Sequence, residues 1–279
     1  MSKITLDDLR SRKRAGKKFS VLTCYDFATA RVMDQAGVEV LLVGDSAGEV
    51  VLGLPNTRGT PPNVLLHLTA AVRRGAPNAF LLGDFPFECM QMNDNARIDW
   101  ARHFMQDAGC DALKVEVTGQ DADLVSALRD ADVPVVAHLG LLPQHIDPVT
   151  GYRARGKTVE QARELLEDAQ ILEKAGAVML LLEAVAGEAA RAISSRTSLP
   201  VIGCVAGPHC DGTVVVLHDM IGWGGGHPPR RVKVYANLAD VMRSAFTAYV
   251  EDIHTGRFPT DAEAIHMNPG EYEKLVSAD

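Results

Sequence analysis

The chain has 279 residues, 47% hydrophobic and 23% charged, ample material for the core of one large domain or two small ones. With 28 basic against 36 acidic side chains its formal charge is -8, which argues against general nucleic-acid binding or attraction to anionic membranes. No run reaches the roughly 18 consecutive apolar residues of a membrane-spanning helix, and the five cysteines, with no CxxC pair among them, suit reduced thiols in a cytoplasmic protein.

At the N-terminus, Asp7 and Asp8 and the lack of an apolar core argue against a targeting segment. The basic run from Arg10 to Lys18, without interleaved aromatics, reads as a solvated helix. Eight short β-type runs follow, at 19–26, 38–46, 79–84, 111–117, 133–140, 177–184, 199–204 and 213–219. Most are continuously apolar rather than alternating, as in parallel strands buried on both faces. Helical stretches lie between them. Thr158 with Gln161 has the form of a capping box, Ala162, Leu165, Leu166, Ala169 and Leu172 keep helical spacing, and Gly176 stands where a terminating glycine belongs. The glycine-rich stretch 222–229 lacks phosphate-loop spacing and reads as a loop before the last helix. That helix aligns Leu238, Val241, Met242, Ala245, Phe246, Tyr249 and Ile253 on one stripe, and Gly256 and Pro259 stop it.

Eight β/α units in a chain of this length point to a TIM (β/α)8 barrel, with a doubly wound open sheet as the rival. No Pro-, Gly- or Ser-rich linker divides the chain, so residues 1–279 are expected as one barrel domain with an N-terminal helix and a C-terminal helical tail. Barrels of this kind carry their chemistry at the C-terminal ends of the strands. Polar residues there are few: Asp45 and Ser46, Asp84, Lys114 and Glu116, His138, and Glu183.

Alternation puts Lys114 and Glu116 on one face. By the same count Asp45 shares a face with Leu41 and Val43, and Glu183 with Leu181, so all are expected to project from the barrel interior toward its mouth. Several converging carboxylates repel one another unless a cation lies among them. Mg2+, a hard ion that prefers carboxylates, waters and substrate oxygens, suits Asp45, Asp84 and Glu116 as ligands. The apolar run before Glu183 is expected to raise its pKa toward the range of a general base or acid. His138 fits either a substrate contact or a satisfied core histidine. The Pro208 to Asp211 segment, "PHCD", lacks the second cluster that a soft-metal site requires.

The blocks "LTCYDFATARVMDQAGVEVLLVGDSAG", "AVRRGAPNAFLLGDFPF", "ALKVEVTG", "VAHLGLLPQ", "GYRARGKT", "LLLEAV" and "GCVAGPHCDGTVVVLHDMIG" together resemble the ketopantoate hydroxymethyltransferase family, in order and along nearly the whole chain. The resemblance implies a TIM barrel of the phosphoenolpyruvate mutase and isocitrate lyase type, assembled as a homo-oligomer, a decamer in typical bacterial members. It implies transfer of a one-carbon unit from 5,10-methylenetetrahydrofolate to 3-methyl-2-oxobutanoate, giving 2-dehydropantoate on the route to pantothenate. It also implies roles. Asp45 and Asp84 bind both Mg2+ and the 2-oxo acid, Ser46 and Lys114 the acid, Glu116 the metal, and Glu183 accepts the proton.

The chain departs from the family pattern beside those positions. Ala47 and Glu49 stand where Leu and Met are usual, 54–62 and 88–90 differ, and Cys204 and Val205 interrupt the usual Gly-Ile-Gly-Ala-Gly. A family member acting on a different 2-oxo acid or one-carbon donor is therefore the first alternative. A carbon-carbon lyase of the superfamily is the second, opposed by the intact "GYRARGKT" block. A barrel kept only for binding or assembly is the third, opposed by Asp84 and Glu183.

Overall fold

The eight runs form eight short strands: β1 (Phe19–Thr23), β2 (Val40–Val43), β3 (Phe80–Asp84), β4 (Ala112–Glu116), β5 (Val135–Gly140), β6 (Met179–Glu183), β7 (Val201–Cys204) and β8 (Gly212–Val215). In the computed structural model, which describes residues 2–146, 153–224 and 231–277, they close in sequence order into a barrel, β8 pairing back onto β1. Every pairing is parallel, because a helical crossover separates nearly every two strands. The open-sheet alternative is thereby excluded. The run at 213–219 is strand only in its first part; Leu217–Met220 is a helical turn.

Two apolar layers explain why the strands read as unbroken hydrophobic runs. Val40, Leu42, Phe80, Leu82, Ala112, Val136, Met179, Leu181, Ile202 and Val214 fill the barrel interior. Their neighbours Leu41, Val43, Leu81, Leu113, Val115, Leu180 and Leu182 point outward beneath the helices. The helix Val159–Ala175 shows how the ends are set. Thr158 accepts the Gln161 amide, and Gly176 closes the helix in the left-handed region, with φ 111. The Gln161 side chain takes the Lys157 amide rather than that of Thr158, so the expected capping box is only half formed.

At the N-terminal end of the strands, the helix Leu6–Arg14 departs from the solvated helix expected of its basic run. Leu9 is fully buried in the interior cluster, with Ile4 and Leu6 packed against it. Its cations are also engaged. Arg12 pairs with Glu39, Lys13 with Asp211, and Lys18, just beyond the helix, donates to the Cys210 carbonyl. This occupies the "PHCD" segment at the opposite end of the barrel from the strand-end carboxylates. The helix Leu238–Thr255, expected to be the last, is followed by a short helix Glu271–Val276. Leu238–Thr255 buries no residue, and its stripe stays open, Val241 at 64%, Phe246 at 59% and Tyr249 at 58% exposure. Residues 225–229 of the glycine-rich stretch, and Gly151 and Tyr152 of "GYRARGKT", lie outside the described residues.

If Leu9 is the plug of the barrel floor, Leu9→Ala leaves a cavity there and lowers stability by about 2–5 kcal/mol, measured by urea unfolding. A change below about 0.5 kcal/mol would mean that the helix merely lies on the surface.

Candidate active site

Strand register builds the site before any loop contributes. Interior-facing positions recur every second residue, so the rows ending in Asp84, in Lys114 and Glu116, in His138, in Glu183 and in Cys204 all open toward the mouth. Cross-strand pairing sets Asp84 beside Lys114, Glu116 beside His138, and Glu183 beside Cys204. With Ser46, Asp45 and several apolar residues they line one cavity of about 170 Å³. All the site positions expected from the sequence meet there.

Asp45 reaches the cavity by a different route from the one alternation suggests. Leu41 and Val43 face the helices, so the interior position after Leu42 falls on Gly44. A side chain there would crowd the site, since an added Cβ stands 3.0 Å from Ser46 Oγ and 3.6 Å from Asp84 Oδ2. The chain has already left β2 at Asp45 and turns into the short helix Ala47–Val50. The Asp45 amide donates to Asp84 Oδ2 at 2.9 Å, and Thr60 Oγ1 donates to the Asp45 carbonyl at 2.7 Å. The turn, not strand parity, aims this carboxylate inward. Ser46 Oγ lies 2.9 Å from the buried Tyr25 hydroxyl.

Gln144, which carries no recognisable signal in the sequence beyond its place in "VAHLGLLPQ", ties the acids together. It is fully buried in the turn Pro143–His145 after β5. Its Nε2 donates to Asp45 Oδ2 at 2.9 Å and to the Phe85 carbonyl at 3.0 Å, while its backbone amide donates to Glu116 Oε2 at 3.0 Å. Sequence reasoning also missed Tyr25, Thr57 and Thr60, polar side chains buried around the same mouth.

Lys114 Nζ pairs with Asp84 Oδ1 at 2.7 Å, both side chains at most 5% exposed. Burial pushes the Asp84 carboxyl up to about 7; the Lys114 ammonium pulls it down and Asp45 pushes it further up. Glu116 is raised well above the usual carboxylate range, chiefly by burial. Burial disfavours a charge on Lys114, but Asp84, Asp45 and Glu116 together outweigh it and hold its pKa above the ordinary value. The Lys114 ammonium therefore offsets part of the repulsion among these carboxylates. A cation remains compatible with the donors: Glu116 Oε1 is buried without a hydrogen bond, and Asp84 Oδ1 meets only the Lys114 ammonium. Among the described residues, no group of three acidic, His or Cys side chains stands close enough to enclose a metal unaided. A hard divalent ion does not require this, because one or two carboxylates with waters and substrate oxygens suffice.

His138 is 1% exposed, and burial, then the Lys114 charge, lower its pKa. Lys114 Nζ approaches His138 Nδ1 at 3.3 Å. An ammonium only donates, so Nδ1 accepts and the proton of the neutral ring sits on Nε2. That atom faces Glu183 Oε2 at 3.4 Å. The histidine thus stands between Lys114 and Glu183, its Nε2 close to that carboxylate but without a hydrogen bond. Glu183 itself is 23% exposed at the mouth, with the apolar part of β6 behind it rather than around it. Its carbonyl accepts the Leu141 amide, and Gly140 permits that approach; an added Cβ would stand 2.4 Å from the Glu183 carbonyl oxygen.

Three residues from the divergent stretches, Glu49, Thr57 and Cys204, line the cavity. Gly48 is required beside them, because an added Cβ would meet Thr60 Oγ1 at 2.2 Å. Cys204 remains a thiol, its pKa raised by burial and then by Glu183. Val205 occupies the left-handed region, with φ 54. A β-branched residue is strained there by about 1–3 kcal/mol, which accounts physically for the glycine of the family pattern at this point.

The family model for ketopantoate hydroxymethyltransferase matches residues 3–261. A 3-methyl-2-oxobutanoate hydroxymethyltransferase of Syntrophomonas wolfei is 38% identical, covering 99% of this chain and 100% of its own. One from Geobacillus kaustophilus is 41% identical over 96% of each. Among solved structures, a phosphoenolpyruvate phosphomutase from Streptomyces platensis aligns with a TM-score of 0.61 at 15% identity, over 98% of this chain and 96% of the other. A phosphonopyruvate hydrolase in complex with oxalate and Mg++ aligns at 0.60 and 14%, over 99% and 96%. These two, with a 2,3-dimethylmalate lyase of the phosphoenolpyruvate mutase and isocitrate lyase superfamily at 0.57, share the barrel. By model coverage and by identity over its whole length, the chain belongs to the ketopantoate hydroxymethyltransferase family and is a transferase enzyme.

Proposed function

We propose that the enzyme transfers a hydroxymethyl group from 5,10-methylenetetrahydrofolate to 3-methyl-2-oxobutanoate, giving 2-dehydropantoate in pantothenate biosynthesis. The observation that carries this reading is the convergence of the Lys114–Asp84 pair, Glu116 and Glu183 on one cavity above an apolar floor of Leu42, Leu181 and Val214. That combination suits a small branched 2-oxo acid. In the balanced reaction the carbon next to the keto group loses a proton and bonds to the folate's methylene carbon. One water supplies the new hydroxyl, and tetrahydrofolate leaves.

Asp45, Asp84 and Glu116 would hold Mg2+, with water and substrate oxygens completing its shell. When bound, the ion supplies Lewis-acid polarisation of the keto group. Glu183 removes the proton at the mouth, and the His138 Nε2–H beside it orients that carboxylate. Lys114 faces the negative charge that develops on the substrate, in a cavity too dry to screen it. Ser46, fixed by Tyr25, and Asp45 and Asp84 contact the acid. Because Glu49, Thr57 and Cys204 line the same space, a second reading keeps this chemistry and changes the 2-oxo acid. The exposed stripe of the helix Leu238–Thr255 supports assembly as a homo-oligomer, and five unpaired cysteines support a reducing, cytoplasmic setting. No helix among the described residues is long and apolar enough to cross a membrane.

In heavy water with Mg2+, the protein is expected to exchange deuterium into the carbon adjacent to the keto group of 3-methyl-2-oxobutanoate. Glu183→Gln should slow this about 10²–10⁴-fold while calorimetric Mg2+ binding persists; unchanged exchange removes Glu183 from the proton transfer. Dialysis against EDTA should abolish exchange and added Mg2+ restore it, whereas metal-independent exchange contradicts the assigned ligands. A product assay across several 2-oxo acids separates the two readings, the second requiring another acid to react faster. For the assembly, Phe246→Glu with Tyr249→Glu should lower the mass measured by light scattering; an unchanged mass excludes this helix from the contact.

A further inference from the structure

The polar and apolar walls of the oxo-acid cavity come from different sectors of the barrel. Strands β2 to β6 and the loops after them supply its carboxylates, Lys114 and His138, whereas β7, β8 and the residue beyond them supply Cys204, Val214, Val215 and Val216. A 2-oxo acid is divided in the same way, with oxygens at one end and an alkyl group at the other. Oxygens buried away from Lys114 and the cation ligands would go unpaired. The groups on the reacting carbon therefore turn past Glu183 toward β7 and β8.

Cys204 is first on that path. Register pairs it with Glu183, which sets the two backbones roughly 5 Å apart. Its side chain packs against the interior cluster, and it is partly exposed where the other four cysteines are buried. The backbone fixes it there. The Cys204 carbonyl accepts the Ala184 amide at 2.8 Å, and both strands turn away at once, Ala184 at φ 48 and Val205 at φ 54. Burial, then Glu183, hold the thiol protonated, so it serves as a small apolar wall and not as a nucleophile. With a single atom beyond Cβ, it is also the shortest side chain of this sector.

We propose that Cys204 sets the size of the group that the reacting carbon can carry, and that its short side chain admits an ethyl branch where 3-methyl-2-oxobutanoate has a methyl. The inference rests on the reading of the cavity as the seat of a 2-oxo acid, and it names the residue through which this chain's choice of acid would differ. Cys204 is one of the positions at which the chain departs from the family pattern. A β-branched side chain there would stand against the longer branch, and one methylene in an apolar pocket is worth roughly 10–200-fold in discrimination.

The test compares 3-methyl-2-oxobutanoate with 3-methyl-2-oxopentanoate, longer by one methylene, in Mg2+-dependent deuterium exchange at the carbon beside the keto group and in calorimetric binding. The unsubstituted enzyme should use the two with kcat/KM values within about threefold of each other. Cys204→Ile should lower the ratio of longer to shorter acid about tenfold. Cys204→Val, a smaller step, should lower it less, and Cys204→Ser, close to the thiol in size, should leave it as it is. A ratio unchanged in both Cys204→Ile and Cys204→Val, even with both acids slowed together, would overturn the role of Cys204 and leave the reaction standing. So would an unsubstituted enzyme that rejects the longer acid by more than about tenfold. Binding that discriminates as proposed, with no exchange of either acid, would remove the reaction and keep the size limit. Failure of both acids to bind would remove the two together.

Discussion

A lysine and an aspartate, both almost fully buried, face each other 2.7 Å apart at the mouth of the barrel, and the rest of the site is arranged around that pair. Neither charge is tolerable alone among the leucines and valines that fill the barrel, so each holds the other in place. The second oxygen of Asp84 takes the Asp45 amide and thereby fixes the turn that leaves β2. Lys114 also sets the tautomer of His138 and, through it, the donor facing Glu183. Gln144 links Asp45 to Glu116 from the other side. Connected polar networks of this kind are rigid when satisfied and costly when broken. The orphaned Glu116 Oε1, and Asp84 Oδ1, which meets only Lys114, are where substrate and metal would complete the network.

Much of this was legible in the sequence because parallel strands buried on both faces leave unbroken apolar runs. A charged residue at the end of such a run has few reasons to be there other than chemistry. Asp84, Lys114, Glu116 and Glu183 stood out for that reason, and register then brought them together. Asp45 reaches the site by a turn that strand alternation does not foresee. Counting alternation from Leu41 and Val43 places it with outward-facing residues, and only the turn past Gly44 redirects it. Gln144 could not be read from pattern at all. Its importance comes from a buried turn and two backbone groups, and a glutamine in a loop has no periodicity to betray it. The C-terminal stripe was read correctly as amphipathic, but amphipathicity does not say whether the apolar face meets the same chain.

The departures from the family pattern fall into two physical kinds. Between them Gly48 keeps the family residue, because Thr60 leaves no room for a Cβ, and Thr60, in the divergent stretch 54–62, holds the Asp45 carbonyl. Such positions maintain the network. Glu49, Thr57 and Cys204 instead change what the cavity wall offers to a ligand, and Val205 adopts a left-handed conformation that a β-branched side chain resists. On the proposed reaction, proton transfer and ligand selection fall to separate residues, so the second can vary while the first is kept.

The central claim is that the buried acids and Lys114 form one seat for a divalent cation and a 2-oxo acid, with the reacting carbon turned toward Glu183. Its most direct measurement is the anomalous scattering of Mn2+ in crystals grown with 3-methyl-2-oxobutanoate. The arrangement predicts a peak bonded to oxygens from Asp45, Asp84 or Glu116, with the acid beside Lys114. Manganese bound elsewhere, or an acid whose reacting carbon points away from Glu183, would contradict it.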